Sequence, residues 1–171
     1  KKLTRTEYKN IVNAGLNLFF IFQEYGNKAS KFTLNSGTEH ANRALNAALS
    51  LGVPKNAVIY FAVDFDATDS EISKNIIPYF TAIRNSECSS YYNIGVYGTR
   101  NVCSRIKKSV GFDFYFVSDA SYGFSGNLGY TMPDSWAFDQ FKTDITLSNS
   151  TTSVNIDKVA VSYKDNGVSN M

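Results

Sequence analysis

Apolar and polar positions alternate along this chain in two rhythms, one with the period of a helix and one made of short, nearly unbroken apolar runs. Thr4 and Glu7 form a capping box ahead of Tyr8, Ile11 and Val12, and Gly15 marks the stop of a short first helix. Residues 16–22 are almost continuously apolar, as a strand buried on both faces would be. The spacing of Ala41, Ala44, Leu45, Ala48 and Leu49 predicts a second helix, capped by Thr38 and ended by Gly52, with Pro54 preventing its continuation. Residues 58–63 form the next apolar run. Asp69 then opens a helix with Ile72, Ile76, Tyr79, Phe80 and Ile83 on one face, and Pro78 inside it predicts a kink or an early end. A strand at 94–97, a helix at 101–108 and a strand at 114–117 continue the alternation. Beyond Val117 the rhythm changes. Residues 121–133 are rich in Gly, Ser, Asn and Tyr, and the strands expected at 136–141 and 154–161 have no helix between them.

Strands alternating with helices predict an α/β fold with a parallel sheet and right-handed crossovers, open or closed into a barrel. No Gly-rich phosphate loop or dinucleotide fingerprint follows the first strands, which argues against nucleotide binding by a doubly wound sheet. With 171 residues, 43% of them hydrophobic and 19% charged, one folded domain is expected. The net charge of +2, with no basic block longer than Lys107-Lys108, does not suggest nucleic-acid binding. The apolar runs are far shorter than the ~20 residues of a transmembrane helix. Cys88 and Cys103 leave two readings open, one bridge or two packed thiols. The chain opens on Lys1 with no Met, which leaves room for a removed export signal or a larger parent protein.

The candidate chemistry gathers at the ends of the expected strands. Glu24 follows the first strand, Asp64 and Asp66 the second and Asp119 the fourth, while Asp139, Gln140 and Asp157 lie in the last two. In α/β folds such positions converge on one rim. The two-residue strand period points Asp64 and Asp66 the same way, so one carboxyl could keep a proton while the other ionises, as glycosidic cleavage requires. The same stretch, with Thr68 and Asp69, also suits a Ca²⁺ or Mg²⁺ site, although Asp69 by itself reads as a helix cap. His40 is the sole histidine and reads as a surface residue. Tyr25, Tyr97, Tyr122, Tyr130 and Trp136 are candidates for stacking on sugars or for the core.

The strings IYFAVDFDATD, IGVYGTRNVC, FYFVSDASY, WAFDQF and NIDKVAVS, spread over nearly the whole chain, resemble the bacterial glycoside-hydrolase-like domain of unknown function. That domain is related to the phage-type muramidases, glycoside hydrolase family 25. The resemblance implies a TIM-like β/α barrel, irregular in its C-terminal part. It implies one domain over residues 1–171 lacking its first strands, since the family's opening strand, helix and strand have no counterpart before Thr4. It also implies that Asp64 and Asp66 occupy the catalytic D-x-E pair of the muramidases, that Gln140 matches their Trp-Gln-Tyr motif and that Asp157 matches an aspartate of the eighth strand. The muramidase acid is a Glu; Asp66 is one methylene shorter, and a misplacement of ~1 Å can cost a factor of 10².

The expected substrate-binding set is Glu24, Tyr97, Asp119, Trp136, Asp139, Gln140 and Asp157, and the expected metal set is Asp64, Asp66 and Asp157. Three functions are open: a glycosidase acting on peptidoglycan or a related amino-sugar polymer, which requires no cofactor; a Ca²⁺- or Mg²⁺-dependent hydrolase of a phosphorylated wall precursor; and a wall-binding module without turnover. The resemblance further implies a secreted or cell-surface protein, a monomer or part of a larger chain.

Overall fold

A computed structural model describes residues 2–170. Its elements run α1 (Arg5–Asn13), β1 (Phe20–Phe22), α2 (Leu34–Leu51), β2 (Val58–Ala62), α3 (Asp69–Glu71), a π turn (Ile72–Ile76), α4 (Ile77–Arg84), α5 (Glu87–Tyr91), β3 (Asn93–Gly98), α6 (Arg100–Ser109), β4 (Phe114–Val117), β5 (Trp136–Ser148) and β6 (Ser153–Val161). The described residues build one six-stranded sheet in sequential order, parallel from β1 to β5. Because successive parallel crossovers share one hand, they place their helices on one side and let the sheet curl into a half-barrel. The expected α/β barrel-like architecture is therefore present. One expectation fails: β6 runs antiparallel, as the return arm of a long hairpin with β5.

Alternation along the strands divides the apolar residues into two cores. Ile59, Phe61 and Val63 of the β2 region, with Val96, Tyr115 and Val117, pack under the helices against Tyr8, Ile76, Phe80 and Ile106. Val58, Tyr60, Phe116, Ala137 and Phe138 fill the concave side. The ring of Tyr60 lies across Gly95, where a Cβ would stand 2.3 Å from it, so the neighbouring strand must be bare at that point. Phe19 caps this inner core with its ring 5.4 Å from that of Phe116.

Several local expectations are corrected. Helix α2 starts at Leu34, not after Thr38, because Thr33 and Ser36 exchange the reciprocal capping bonds. Gly37 then lies inside the helix, where a Cβ would meet the Tyr79 carbonyl at 2.4 Å and force α2 and α4 apart. Pro78 does not end its helix: the irregularity falls just before it, in the π turn, and α4 continues to Arg84. Thr68, not Asp69, caps α3, paired with Glu71. The run 16–22 forms only a three-residue edge strand with Leu16 and Ile21 exposed, since among the described residues β2 alone pairs with β1. Cys88 and Cys103 are free and buried, and burial pushes both thiols up, that of Cys88 to about 11.

Candidate functional site

The inner face of the sheet ends in a row of polar side chains. Asp64 continues the alternation that buries Tyr60 and leaves the end of β2 exposed. Its carboxylate accepts from Gln23 Nε2 at 3.0 Å. Its N–H donates to the Gly26 carbonyl at 2.8 Å, pinning the loop after β1 against the end of β2. On β3, the Tyr97 hydroxyl donates to Gln140 Oε1 at 2.7 Å, and Gln140 Nε2 donates to Asp157 Oδ2 at 2.6 Å. Burial first, and then the carboxylates of Asp64 and Asp157, push the Tyr97 hydroxyl far up, so it remains a neutral donor. Although β6 is antiparallel, its hairpin brings Asp157 to the same rim as Gln140, and the Asp144 N–H donates to Asp157 Oδ1 at 3.1 Å.

Asp66, two residues further, has a different role. Ser125 donates its N–H and its hydroxyl, at 2.8 and 2.9 Å, and Gly126 its N–H at 3.1 Å. Slight burial pushes this carboxyl up, but the three bonds outweigh it and hold the group below the usual carboxylate range. Asp66 therefore fastens the loop after β4 to the end of β2. The same loop is tied by Asn127, whose side chain accepts from the Arg100 N–H and donates to the Ser118 and Ser121 carbonyls.

Beside this loop Arg100 grips Asp119 with two guanidinium bonds, Nε to Oδ1 at 2.8 Å and a second to Oδ2. Asp139, paired in register with Val117, is half-buried, and its Oδ1 has no hydrogen-bond partner. Burial, reinforced by the Asp119 charge and only partly offset by Arg100, pushes this carboxyl up to about 6. The rim thus holds one aspartate fixed as a carboxylate and another that keeps its proton well above the ordinary range.

Two expected substrate-binding residues lie elsewhere. Glu24 faces α2, where Arg43 Nη1 stands 2.5 Å from its carboxylate and His40 Nε2 4.0 Å, because Gln23 takes the inward position at the end of β1. Trp136 begins β5, at the opposite end from the rim, and packs into the core under the helices. Asp64, Asp66 and Asp157 do not converge: among the described residues no group of three or more His, Cys, Asp or Glu side chains could hold a metal ion. Asp69 is turned to Asn101 and Arg105, whose bonds lower its carboxyl. His40 is not a surface group; it is half-buried with Nδ1 3.0 Å from the Tyr79 hydroxyl, and burial lowers its pKa. Sequence reasoning missed Gln23, Arg100 and the 125–127 loop; only Gln23 carried a signal, its parity at the end of β1.

A parallel half-barrel with carboxylates and amides along its carboxyl rim defines a glycoside-hydrolase-like α/β domain. The chain belongs to the Rv2525c-like, glycoside hydrolase-like domain family, whose model matches residues 1–161. It is 45% identical over 168 residues to the uncharacterized protein YbfG of Bacillus subtilis (strain 168), covering 94% of this chain and 23% of YbfG. It is 45% identical over 172 residues to the uncharacterized protein FadG of the same organism, covering 98% of this chain and 30% of FadG. The chain thus spans less than a third of either relative. The fold is that of the Mycobacterium tuberculosis Tat-secreted protein Rv2525c, solved in complex with L-tartrate. The TM-score is 0.73 at 20% identity, over 95% of this chain and 76% of that one. An uncharacterized B. stearothermophilus protein is also similar, with a TM-score of 0.61 at 15% identity, over 95% of this chain and 78% of that one. Among the described residues no helix is long and apolar enough to cross a membrane.

Proposed function

We propose that this domain hydrolyses a glycosidic bond in an amino-sugar polymer of the peptidoglycan class, and that it works outside the cell, as the Tat-secreted Rv2525c does. The observation that carries this reading is the row of polar groups along the rim, the Gln23–Asp64 pair and the Tyr97–Gln140–Asp157 chain, which can exchange hydrogen bonds with several sugar hydroxyls. Asp139 follows the alternation of β5 to the face opposite Gln140, toward Arg100 and Asp119, and from that side of the rim it is the group proposed to supply the proton. Its carboxyl keeps that proton to about pH 6, the property needed to protonate a leaving oxygen. Asp64 supplies the carboxylate that stabilises positive charge at the sugar carbon or orients a water. Asp66, which the resemblance makes the acid, is better suited to holding the 125–127 loop, because three donors favour its charged form.

The commitment of Asp66 to loop amides favours one second reading, a wall-binding module without turnover. Incubation with purified peptidoglycan, read as released reducing ends, separates the two. Cleavage that Asp139→Asn and Asp64→Asn abolish supports hydrolysis. Binding by the wild type without any cleavage would assign the second reading, and cleavage lost on adding a chelator would return the problem to a metal-dependent chemistry.

A further inference from the structure

Most aromatic side chains of this domain are packed, but Tyr25, Tyr122 and Tyr163 are 73%, 81% and 80% exposed. Two of the three stand at the carboxyl rim, at either side of the polar row. Tyr25 precedes Gly26, whose carbonyl accepts from the Asp64 N–H at 2.8 Å. A Cβ on Gly26 would lie 3.0 Å from the Ala62 carbonyl, so the chain there is pressed against the end of β2. Tyr25 itself holds a left-handed backbone, φ 52°, which a bulky residue adopts only where its surroundings over-determine it. The Lys31 ammonium lies 5.1 Å from its ring centre, over one face.

Tyr122 stands across the row. Two residues before it, the Ala120 N–H donates to the Gln140 carbonyl at 2.5 Å, and the Ser121 carbonyl accepts from Asn127 Nδ2 at 3.1 Å. Its backbone is thereby fixed beside Gln140, the centre of the row. Tyr163 makes the contrast. It too is left-handed, φ 66°, but it follows β6, at the other end of the strands, where Ser162 Oγ donates to the Trp136 carbonyl at 2.7 Å.

A pyranose ring presents a C–H face and a rim of hydroxyls, so it is recognised by an aromatic face together with amides and carboxylates. We infer that Tyr25 and Tyr122 are stacking platforms for separate sugar units of one polymer, bracketing the hydroxyl-binding row. The inference rests on the glycan reading above and adds a ligand length. Three sheet steps separate β1 from β4, about 14 Å along the sheet at about 4.8 Å per strand, which requires an oligosaccharide of several units.

Titration calorimetry of the whole protein with chitohexaose and with chitobiose, beside sedimentation with purified peptidoglycan, tests it. Tyr25→Ala and Tyr122→Ala each weaken chitohexaose binding about three- to tenfold, the worth of one aromatic contact. Tyr25→Phe and Tyr122→Phe keep wild-type affinity, Tyr163→Ala is without effect, and chitobiose binds more weakly than chitohexaose. Wild-type affinity in both alanine variants, or an equal loss in Tyr163→Ala, would overturn the inference and leave the glycan reading standing. A wild-type protein that binds neither the oligosaccharides nor peptidoglycan would instead overturn the glycan reading itself.

Discussion

The ends of β2 and β5 carry the same side chain in opposite circumstances. Asp66 meets three donors, two of them loop amides, whereas Asp139 has an oxygen buried without a partner and the Asp119 carboxylate for a neighbour. The first is held charged and the second is pushed toward neutrality. Which aspartate could hold a proton is thus decided by the donors each one meets and not by its place in a motif. The contrast also separates two carboxylates on one rim: Asp66 anchors a loop, and Asp139 keeps a buried oxygen that no donor meets.

The largest effect that would break this comparison concerns Asp139. If it donates the proton, Asp139→Asn lowers peptidoglycan cleavage about 10²- to 10⁴-fold while the melting temperature holds or rises. Cleavage that persists within tenfold of wild type would return the acid role to another group. The anchor should behave differently. Asp66→Ala removes the acceptor of the Ser125 and Gly126 donors, and because water can reach them a loss of about 0.5–1.5 kcal/mol is expected in denaturant unfolding, with faster proteolysis in the 121–130 loop. An Asp66→Ala protein as stable and as protease-resistant as the wild type would remove the anchoring role.

The pH dependence of stability sharpens the same contrast, because the two shifts have opposite signs. Asp139 is raised from 3.8 to about 6, so its contribution is complete below the ordinary value and is lost as pH rises through about 6. Asp66 is lowered, so its contribution is present above the ordinary value and is lost as pH falls. Melting temperatures between pH 4 and 7 should therefore show Asp139→Asn gaining on the wild type as pH rises, by about 1–2 kcal/mol after solvent screening. Asp66→Asn should run parallel to the wild type over that range, at a constant deficit, and close the gap only as pH falls below the ordinary carboxylate value. A parallel curve for Asp139→Asn over the same range would contradict the assignment. The smallest effect belongs to Gln23, whose exposed bond to Asp64 is worth about 1 kcal/mol or less, so Gln23→Ala should scarcely move the melting temperature while weakening glycan binding.

Much of the scaffold can be read directly from the chain. The apolar runs at β2, β3 and β4 and the stripes of α2, α4 and α6 follow from burial on a repeating geometry, and the Thr4–Glu7 cap is a contact between near neighbours. Asp64 is legible for the same reason, as the first exposed position after a buried strand. The errors arise where two local solutions compete or where a partner lies far away. Thr33 and Thr38 both offer a cap, and Ser36 decides between them. The run 16–22 reads as a buried strand, but burial needs a covering surface that the run itself does not carry.

The site divides along the same line. Periodicity and caps involve residues within a few positions of one another, so composition and spacing along the chain suffice to place Tyr97 and Asp139 on strands and Asp64 just past the end of one. The state of each group is set across the fold. The hydroxyl bond that holds Asp66 spans 59 positions, that between Tyr97 and Gln140 spans 43, and the turning of Glu24 toward Arg43 depends on α2 packing against β1. Charge and proton affinity depend on donors and burial within a few ångströms, and only the folded sheet, with its loop drawn over the rim, brings those donors within reach.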